Sequence, residues 1–453
     1  MEYVTIHPND TVKVCLQDGH KYARRAIRKG QPVIKYGFPI GIATADIAPG
    51  QRVHSHNLRT ALGGARDYTY TPKFQYPAPL SQATIDGFAR PGGQVGIRND
   101  IWIVPTVGCV NSIARALAER TGAIALTHPY GCSQLGDDLA VTQKVLAGLV
   151  HHPNAGGVLV LGLGCENNNI PEFKKILGDC DPRRVRFLNC QDYTDELEKG
   201  VTIIRELQAL TSKDQRCALP VSKLKIGLKC GGSDGLSGIT ANPLCGRITD
   251  RLAAMGGSAV LTEVPEMFGA EQLLMNRCTS QEVFDRAVRL INNYKNYFLD
   301  HHQPVSENPS PGNKAGGITT LEEKSLGCVQ KGGTAPITAV LDYGDRVTEP
   351  GLSLLGGPGN DMVAVTNLCA AGCHLILFTT GRGTPLGAPV PTIKIATNTT
   401  LAKKKPGWID LDAQTATTDD LFNLILRTAN GQETQNERHG YREIAIFKDG
   451  VTL

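Results

Sequence analysis

The sequence predicts an α/β protein whose parallel sheets carry Gly-rich loops at the carboxyl ends of their strands. Short apolar runs at 225–228 and 259–262 have the length and residue types of buried strands. Segments with helical spacing separate such runs along the chain, and this alternation favours right-handed βαβ units. Glycine is abundant, at 50 of 453 residues, which is typical of an enzyme with many tight loops.

The totals exclude several classes of protein. The length predicts roughly two to four domains with ample core. The formal net charge is only +4 and the basic run at 403–405 is short, so nucleic acid binding is not predicted. No apolar stretch reaches about 18 residues, so no membrane span is expected. The N-terminal residues do not resemble a signal peptide, and the 13 cysteines show no disulfide or zinc-finger spacing, which predicts a cytoplasmic protein with reduced thiols.

Residues 1–74 are predicted to form a small β module. β-prone segments at 4–7, 32–36 and 53–57 are separated by turn signals. His54 and His56 are expected to alternate to one face of a strand, where they either bind a metal or an acid or are simply exposed. Residues 75–95 are rich in Pro and Gly, lack periodicity and are predicted to form a linker.

Residues 96–220 contain four predicted strands, at 101–104, 123–126, 157–161 and 185–188, each followed by a cysteine. These cysteines are Cys109, Cys132, Cys165 and Cys190. Because the carboxyl ends of parallel strands lie at one edge of a sheet, the four thiols can converge without close spacing in sequence. The pattern predicts iron ligation or a reducible site, or else only small residues in crowded turns. Cys132 and Cys165 are the stronger candidates, since His128 and Glu166 stand near them.

Residues 221–453 contain the most polar strand ends. The strand at 225–228 leads into a Gly-rich turn, and the strand at 259–262 ends in two carboxylates. The polar residues of these two ends are Cys230, Ser233, Asp234, Ser237, Glu263 and Glu266. A helix is expected to begin near Asn242 and Pro243. Since strand ends and helix N-termini form ligand sites in open α/β sheets, an anion and metal site is predicted here.

Two later segments add cationic candidates. Residues 307–328 form a polar Gly/Pro-rich segment, and long loops of this kind in compact domains are usually functional or disordered. Within it Asn313, Lys314 and Lys324 are candidates for carboxylate binding or proton transfer, and 319–322 fit a capping box. Arg382 and Thr384 lie in a second Gly-rich turn, and the planar guanidinium of Arg382 suits bidentate recognition of a carboxylate.

Strings in seven segments together resemble the altronate/galactarate dehydratase family over nearly the whole chain. Two of them are Tyr130-Gly-Cys-Ser-Gln-Leu-Gly-Asp-Asp138 and Cys230-Gly-Gly-Ser-Asp-Gly-Leu-Ser-Gly-Ile-Thr-Ala-Asn-Pro243, and the others lie at 34–41, 53–57, 162–168, 307–317 and 379–385. The resemblance implies a β-clip module of the SAF type at 1–74, a dimerising domain at 96–220, and a Rossmann-like catalytic domain at 221–453. The segment between Leu16 and His20 departs from the family pattern by being about a hairpin too short, which puts closure of the β-clip in doubt.

The resemblance further implies a hydro-lyase that converts altronate to 2-dehydro-3-deoxygluconate, as a homodimer that needs Fe²⁺. Mn²⁺, another divalent ion or an iron–sulfur cluster remain open. The reaction removes the C2 proton beside the carboxylate and expels the C3 hydroxyl. It therefore needs a base, an acid and positive groups that stabilise a dianion.

The predicted roles follow from this chemistry. Metal ligands are expected first among Cys230, Glu263 and Glu266, and second among Cys132, Cys165 and His128. Arg382, Lys314 and the loop at 231–238 are expected to hold the carboxylate, and the sequence does not rank His128, Lys324 and His374 as the base. The residues predicted to contact substrate are Ser233, Asp234, Ser237, Asn313 and Thr384.

Three alternatives remain open from the sequence. A sister enzyme would act on galactarate or a sulfonated hydroxy acid, which product assays would reveal. An iron–sulfur dehydratase would use three of the strand-end thiols and show visible absorbance and labile sulfide. A non-catalytic sugar-acid binding protein would use the β module as a sensor and bind without turnover.

Overall fold

The computed structural model describes residues 2–453, and the strands in that range form five sheets. Two small antiparallel sheets lie at the N-terminus. A four-stranded and a seven-stranded parallel sheet follow. A three-stranded antiparallel sheet is formed by strands within residues 84–96 and 217–220. The predicted α/β class, with an N-terminal β module and a large parallel sheet, is confirmed.

The N-terminal module consists of seven short strands in two sheets, ordered β1-β2-β3-β6 and β4-β5-β7. The strands are β1 (Tyr3–Val4), β2 (Val12–Cys15), β3 (Lys21–Ala23), β4 (Pro32–Lys35), β5 (Phe38–Ala43), β6 (Arg52–Val53) and β7 (Leu58–Arg59). Val33, Ile40 and Val53 are buried in the core of the module. The prediction that His54 and His56 lie on a strand is wrong, because the strand ends at Val53 and the Asn57 side chain accepts a hydrogen bond from His54 N.

The short segment between β2 and β3 closes without a further hairpin. Gly19 N donates to Cys15 O at 2.9 Å, and Cys15 N donates to His20 O at 2.8 Å. This tight turn packs directly on the C-terminal part of the chain, where a Cβ atom added to Gly235 would lie 1.8 Å from Gly19 O. Closure of the module is therefore complete, and the turn contacts the Gly-rich loop that follows Cys230.

Part of the segment predicted as a linker is a strand. The three-stranded sheet has the order β14-β8-β9 and is antiparallel, with strands β8 (Thr84–Arg90), β9 (Gln94–Gly96) and β14 (Cys217–Pro220). Ile85 and Gly87 are buried while Thr84 and Asp86 are exposed, so an alternating pattern was present but interrupted by glycine.

The second sheet is parallel, with the order β11-β10-β12-β13. Its strands are β10 (Asp100–Pro105), β11 (Ile124–Ala125), β12 (Ala155–Gly162) and β13 (Val185–Asn189). The helices that connect and follow them are α1 (Asn111–Thr121), α2 (Gly136–Val150), α3 (Ile170–Leu177) and α4 (Glu196–Thr211). All four strands predicted between 96 and 220 are confirmed in type and order.

The third sheet has seven parallel strands in the order β17-β18-β16-β15-β19-β20-β21. They are β15 (Lys225–Cys230), β16 (Ser258–Leu261), β17 (Ile337–Leu341), β18 (Gly351–Leu355), β19 (Leu375–Thr380), β20 (Thr392–Ala396) and β21 (Leu411–Asp412). Because β15 is central, its carboxyl end at Cys230 lies between the ends of β16 and β19.

Nine helices accompany this sheet in residues 221–453. They are α5 (Ala241–Ala254), α6 (Glu271–Met275), α7 (Gln281–Asp300), α8 (Pro311–Ala315), α9 (Leu321–Cys328), α10 (Asp361–Ala370), α11 (Thr399–Lys404), α12 (Thr418–Ala429) and α13 (Gln435–Arg438). The helix expected near Asn242 and Pro243 is α5. None of the helices in residues 2–453 has the combined length and apolar character needed to cross a bilayer.

Two predicted helical features differ from the structure. The helical region expected at 270–297 is interrupted, because Thr279 N donates to Ile337 O and draws the chain toward β17 before Ser280 caps α7. The cap expected at 319–322 is shifted by one residue. Thr320 is the N-cap of α9 and its side chain accepts a hydrogen bond from Glu323 N.

Candidate active site

Three buried side chains meet at the carboxyl end of β15. Cys230 Sγ lies 3.1 Å from Glu266 Oε2 and 3.3 Å from Cys328 Sγ. One ligand atom from each of these residues lies within 4.8 Å of the others, and no other group of three His, Cys, Asp or Glu side chains in residues 2–453 meets this criterion. We call Cys230, Glu266 and Cys328 the donor cluster.

The backbone after β16 explains how Glu266 reaches the cluster. Glu263 has a positive φ of 67°, which is uncommon for a residue with a side chain. The chain turns there into a short 3₁₀ segment, Val264–Met267, that carries the Glu266 side chain. Glu263 itself accepts a hydrogen bond from Cys230 N at 3.4 Å. Backbone strain of this kind is concentrated at functional sites, which supports assigning one here.

Three buried ammonium groups surround the donor cluster. A buried charge is costly unless it is paired, and each of these lysines has an anionic partner. The contacts are Lys229 Nζ with Glu263 Oε1 at 2.5 Å and with Asp361 Oδ1 at 2.7 Å, Lys324 Nζ with Glu266 Oε1 at 2.8 Å, and Lys331 Nζ with Cys230 Sγ at 2.8 Å. Buried ion pairs contribute little net stability. A dense set of buried charges such as this one therefore indicates a functional site.

The charges determine which groups of the cluster are ionised. The hydrogen bond from Cys328 lowers the pKa of Cys230 and burial raises it. The Lys331 ammonium adds to the lowering, and the resulting pKa is about 6. The same hydrogen bond and burial raise the pKa of Cys328 well above its ordinary value. Burial by itself raises the pKa of Glu266, but Lys324 and the other lysines outweigh it and hold that pKa below its ordinary range. At neutral pH the cluster therefore contains a thiolate, a carboxylate and a thiol.

A polar cavity of about 680 Å³ opens onto the cluster. Its wall includes Cys230, Glu266, Lys314, Lys324 and Asp361. Ligand sites for small molecules commonly have volumes of about 300–1,000 Å³ and a few convergent polar groups. The cavity therefore fits a small polar molecule, and it is the candidate active site.

The loop at 307–317 and the turn after β19 form the outer part of this site. Ser310 and Asn313 form a capping box at α8, and Asn313 Nδ2 donates to Ser233 O at 2.9 Å. Arg382 N donates to Gly232 O at 3.1 Å, and the Arg382 side chain is exposed beside Gly312. The structure thus brings Cys230, Glu263 and Arg382 to one edge of one sheet, as the sequence predicted.

Several residues predicted to contact substrate use their side chains within the protein. The Asp234 carboxylate accepts hydrogen bonds from Ser237 Oγ, Thr397 Oγ1 and Asn398 Nδ2 at 2.9–3.2 Å, which joins the Gly-rich loop to the end of β20. Thr384 Oγ1 accepts a hydrogen bond from Leu386 N. Ser233 Oγ is buried and has no hydrogen-bond partner among residues 2–453. A direct role in substrate binding stays a prediction for all of these residues.

The histidines proposed as bases lie elsewhere. His374 precedes β19, at the opposite edge of the sheet from Cys230, where Nδ1 accepts from Lys225 N and Nε2 lies 2.8 Å from Val95 O. Burial lowers the pKa of His374 to about 4. His128 is buried beside the second sheet, with Nε2 2.8 Å from Pro105 O. Neither imidazole lines the cavity, and the reserve ligands Cys132 and Cys165 are exposed on loops of that second sheet.

Three family models together match most of the chain. Residues 11–61 match the altronate/galactarate dehydratase SAF domain, and residues 87–212 match the second domain of D-galactarate dehydratase/altronate hydrolase. Residues 221–452, half of the chain, match the C-terminal part of D-galactarate/altronate dehydratase. The chain belongs to the altronate/galactarate dehydratase family.

Relatives of the altronate/galactarate dehydratase family align over the full length. An altronate dehydratase of Escherichia coli (strain K12) is 50% identical over 495 residues, covering 100% of both chains. An altronate dehydratase of Bacillus subtilis (strain 168) is 52% identical over 463 residues, covering 98% of this chain and 93% of the relative. A galactarate dehydratase (L-threo-forming) of Escherichia coli (strain K12) is 32% identical, covering 98% and 96%.

Cys328, Lys331 and Lys229 were not identified from the sequence as residues of the candidate active site. The contacts of Cys328 and Lys331 with Cys230 span 98 and 101 residues, and neither residue follows a strand. Lys229 carried a usable signal, because a lysine near the carboxyl end of a buried central strand must be paired or functional. Asp361, its second partner, begins α10 and carried no comparable signal.

The N-terminal module packs on α9, the helix that carries Lys324. Lys21 Nζ and Lys35 Nζ lie 2.7 and 2.8 Å from the two carboxylate oxygens of Glu323. Burial by itself raises the pKa of Glu323, but the two lysines outweigh it and lower the pKa to about 2. Two residues of the module, Thr60 and Ala61, also donate to the neighbouring Glu322. The wall of the cavity is thus supported from behind by the module.

Proposed function

We propose that this chain is a hydro-lyase that removes water from altronate and releases 2-dehydro-3-deoxygluconate. Identities of 50% and 52% to two altronate dehydratases support this substrate, because the identity to the galactarate dehydratase is only 32%. The structural observation that carries the proposal is the buried donor cluster that opens onto a polar cavity, in which Lys314 and Lys324 supply the positive charge.

Lys324 is the residue best placed to support the chemistry. Removing the C2 proton beside a carboxylate produces a dianion, and fixed positive charge is the main way to stabilise such an intermediate. Burial by itself lowers the pKa of Lys324, but Glu266 outweighs it and raises the pKa above its ordinary value. Lys324 Nζ therefore remains protonated at the cavity wall, where it can stabilise the developing charge and donate a proton to the departing C3 hydroxyl.

Lys314 and Arg382 are proposed to hold the substrate carboxylate. Lys314 lines the cavity, and the Arg382 side chain is exposed beside the loop that carries Lys314. A guanidinium can bind a carboxylate through two parallel hydrogen bonds, which also orients it. Orientation matters because the base must reach the C2 proton while an acid reaches the C3 hydroxyl.

The donor cluster fits a divalent iron ion. Two sulfur donors and one carboxylate oxygen lie within 4.8 Å of one another and are buried at the cavity wall. Sulfur donors favour Fe²⁺ over the harder Mn²⁺, which prefers oxygen ligands. When bound at Cys230, Glu266 and Cys328, the ion would supply Lewis acidity to the substrate oxygens. Glu263, the remaining predicted ligand, is instead paired with Lys229.

A cytoplasmic homodimer is part of the same proposal. The dimer rests on the family expectation for the segment at 96–220, and the compartment rests on the N-terminal residues and the reduced cysteines. The predicted domain boundaries near residues 74, 95 and 220 likewise stay predictions. Sedimentation of the purified full-length chain would measure its mass, and a monomer would contradict the expectation of a dimer.

The direct test is an anaerobic assay of the full-length chain with Fe²⁺ and altronate, in which the 2-keto acid product is measured. Galactarate and a sulfonated hydroxy acid serve as parallel substrates. We expect turnover of altronate to exceed that of the other two by at least tenfold. Folded, iron-loaded protein that releases no keto acid would contradict the proposal, and tight altronate binding without turnover would favour a binding protein.

A further inference from the structure

Three Gly-Cys dipeptides lie at the carboxyl edge of the second sheet, away from the donor cluster. They are Gly108-Cys109, Gly131-Cys132 and Gly164-Cys165. They follow β10, β11 and β12, which are three adjacent strands in the order β11-β10-β12. Since neighbouring strands lie about 4.8 Å apart, the three loops start within about 10 Å of one another.

Backbone hydrogen bonds join these loops next to the cysteines. Gly108 N, in the loop of Cys109, donates to Tyr130 O at 2.8 Å. Asn168 N donates to Gly131 O at 2.9 Å, and Ser133 N donates to the side chain of Asn167 at 2.8 Å. Each cysteine thus lies within three residues of a hydrogen bond that joins its loop to a neighbouring loop. The three loops therefore form one unit.

Glycine is required before at least one of these cysteines. Gly131 has a φ of +102°, and a Cβ atom there would lie 2.0 Å from Thr106 O. Gly164 also has a positive φ, of +130°. The buried Glu166 carboxylate completes this frame by accepting hydrogen bonds from Thr106 Oγ1 at 2.6 Å and Gly164 N at 2.6 Å. The close approach of the backbones explains the glycines but not the thiols that follow them.

The three thiols are exposed and free, whereas most cysteines of this chain are buried. Among residues 2–453, the one hydrogen bond found for any of the three is that of Cys165 Sγ with Gln191 Nε2 at 3.6 Å. An unpaired cysteine usually behaves as a small buried hydrophobic residue, and exposed thiols are open to oxidation. Packing within this chain therefore does not explain three exposed thiols on adjoining loops.

We propose that Cys109, Cys132 and Cys165 hold an iron–sulfur cluster. Cysteine thiolates are the usual ligands of such clusters. A single ion is the poorer fit, because the three sulfurs do not lie within 4.8 Å of one another, while a cluster spaces its thiolates further apart. With three thiolates, one iron of a [4Fe–4S] cluster has no protein ligand and is open to a small anion or water.

Cys190, at the end of the neighbouring β13, does not belong to this set. It is half-buried, it is not preceded by glycine, and burial raises its pKa to about 11, which disfavours a thiolate. Cys217, on β14, is exposed and free like the three proposed ligands but lies in a different sheet. Cys217 is therefore the matched control.

The test uses the full-length protein, purified without oxygen and reconstituted with Fe²⁺ and sulfide. We expect broad visible absorbance, a paramagnetic signal after reduction, and about four labile sulfides per chain. Each of Cys109→Ser, Cys132→Ser and Cys165→Ser should lower the bound sulfide at least fivefold. Cys217→Ser and Cys328→Ser should retain the bound sulfide. Because Cys328 belongs to the donor cluster, its variant shows whether the iron–sulfur cluster is bound at a separate site.

A measurement on the unmodified chain guards against misfolded variants. Cys109, Cys132 and Cys165 should resist alkylation in the reconstituted protein and react once the cluster is removed, whereas Cys217 should react in both forms. The proposal is overturned if no labile sulfide binds, if the three thiols are alkylated equally in both forms, or if Cys217→Ser loses as much sulfide as the three ligand variants. None of these readouts depends on turnover, so they are independent of the altronate assay.

Discussion

Lys21 Nζ lies 2.7 Å from Glu323 Oε2, in a buried ion pair between the N-terminal module and helix α9. The next residue of α9 is Lys324, which lines the candidate active site and contacts Glu266. Lys35 completes the pairing on the other oxygen of Glu323. The module and the catalytic wall are therefore coupled through two consecutive residues of one helix.

The first prediction concerns the stability of this buried ion triad. Glu323→Gln leaves Lys21 and Lys35 buried without a counter-charge, and removal of one partner from a buried pair typically costs about 3–5 kcal/mol. The control is Glu198→Gln, which breaks the exposed pair with Arg120 and should cost less than about 1 kcal/mol. Urea denaturation followed by circular dichroism measures both. Equal losses for the two variants would contradict the proposed importance of the triad.

The second prediction is the pH dependence of the same triad. The pKa of Glu323 is lowered to about 2 in the folded chain, from an ordinary value of 4.5. A carboxylate with a lowered pKa stabilises the fold above its unfolded pKa, and this contribution is lost as the pH falls from 4.5 toward 2. The stability difference between the parent chain and Glu323→Gln should therefore shrink over that interval. A difference that stays constant from about pH 6 to about pH 3 would contradict the assigned ionisation.

The third prediction separates the charge of Lys324 from its bulk. Lys324→Met removes the ammonium group while keeping most of the side-chain volume, and loss of a positioned proton donor typically costs about 10²–10⁴-fold in rate. We expect kcat for altronate to fall by that amount with a smaller change in KM. Lys404→Met, on an exposed position of α11, is the control. If kcat is unchanged in Lys324→Met, this lysine does not act in the chemical step.

The fourth prediction concerns the metal. Cys328→Ser should weaken Fe²⁺ binding by at least tenfold, because it replaces a sulfur atom of the donor cluster by a hydroxyl oxygen. Cys369→Ser is the control, since Cys369 is equally buried but belongs to α10 and not to the cluster. Competition with a coloured chelator under anaerobic conditions measures the affinity. Identical affinities for the two variants would rule out Cys328 as a ligand.

The sequence predicted those parts of the site that depend on local rules. Cys230 ends one strand and Glu266 lies shortly after its parallel neighbour, so strand order places both at one edge of the sheet. Cys328 was beyond this reasoning, because it ends a helix and its contact with Cys230 depends on the packing of α9 against the sheet. His374 illustrates the opposite error. It stands at a strand boundary, but at the amino-terminal end of the sheet, and it does not line the cavity that contains Cys230.

The last prediction concerns the close approach between the module and the catalytic loop. A Cβ atom at Gly235 would lie 1.8 Å from Gly19 O, so Gly235→Ala must separate the turn between β2 and β3 from the loop that follows Cys230. Overpacking of this kind typically costs about 1–3 kcal/mol, and displacement of the loop should also raise KM for altronate. Gly63→Ala is the control, because its Cβ would meet only the end of the Arg66 side chain at 4.0 Å. Thermal unfolding and steady-state kinetics on the two variants decide the matter. If Gly235→Ala unfolds and turns over like Gly63→Ala, the module does not constrain the catalytic loop, and the coupling through Glu323 would have to act on Lys324 alone.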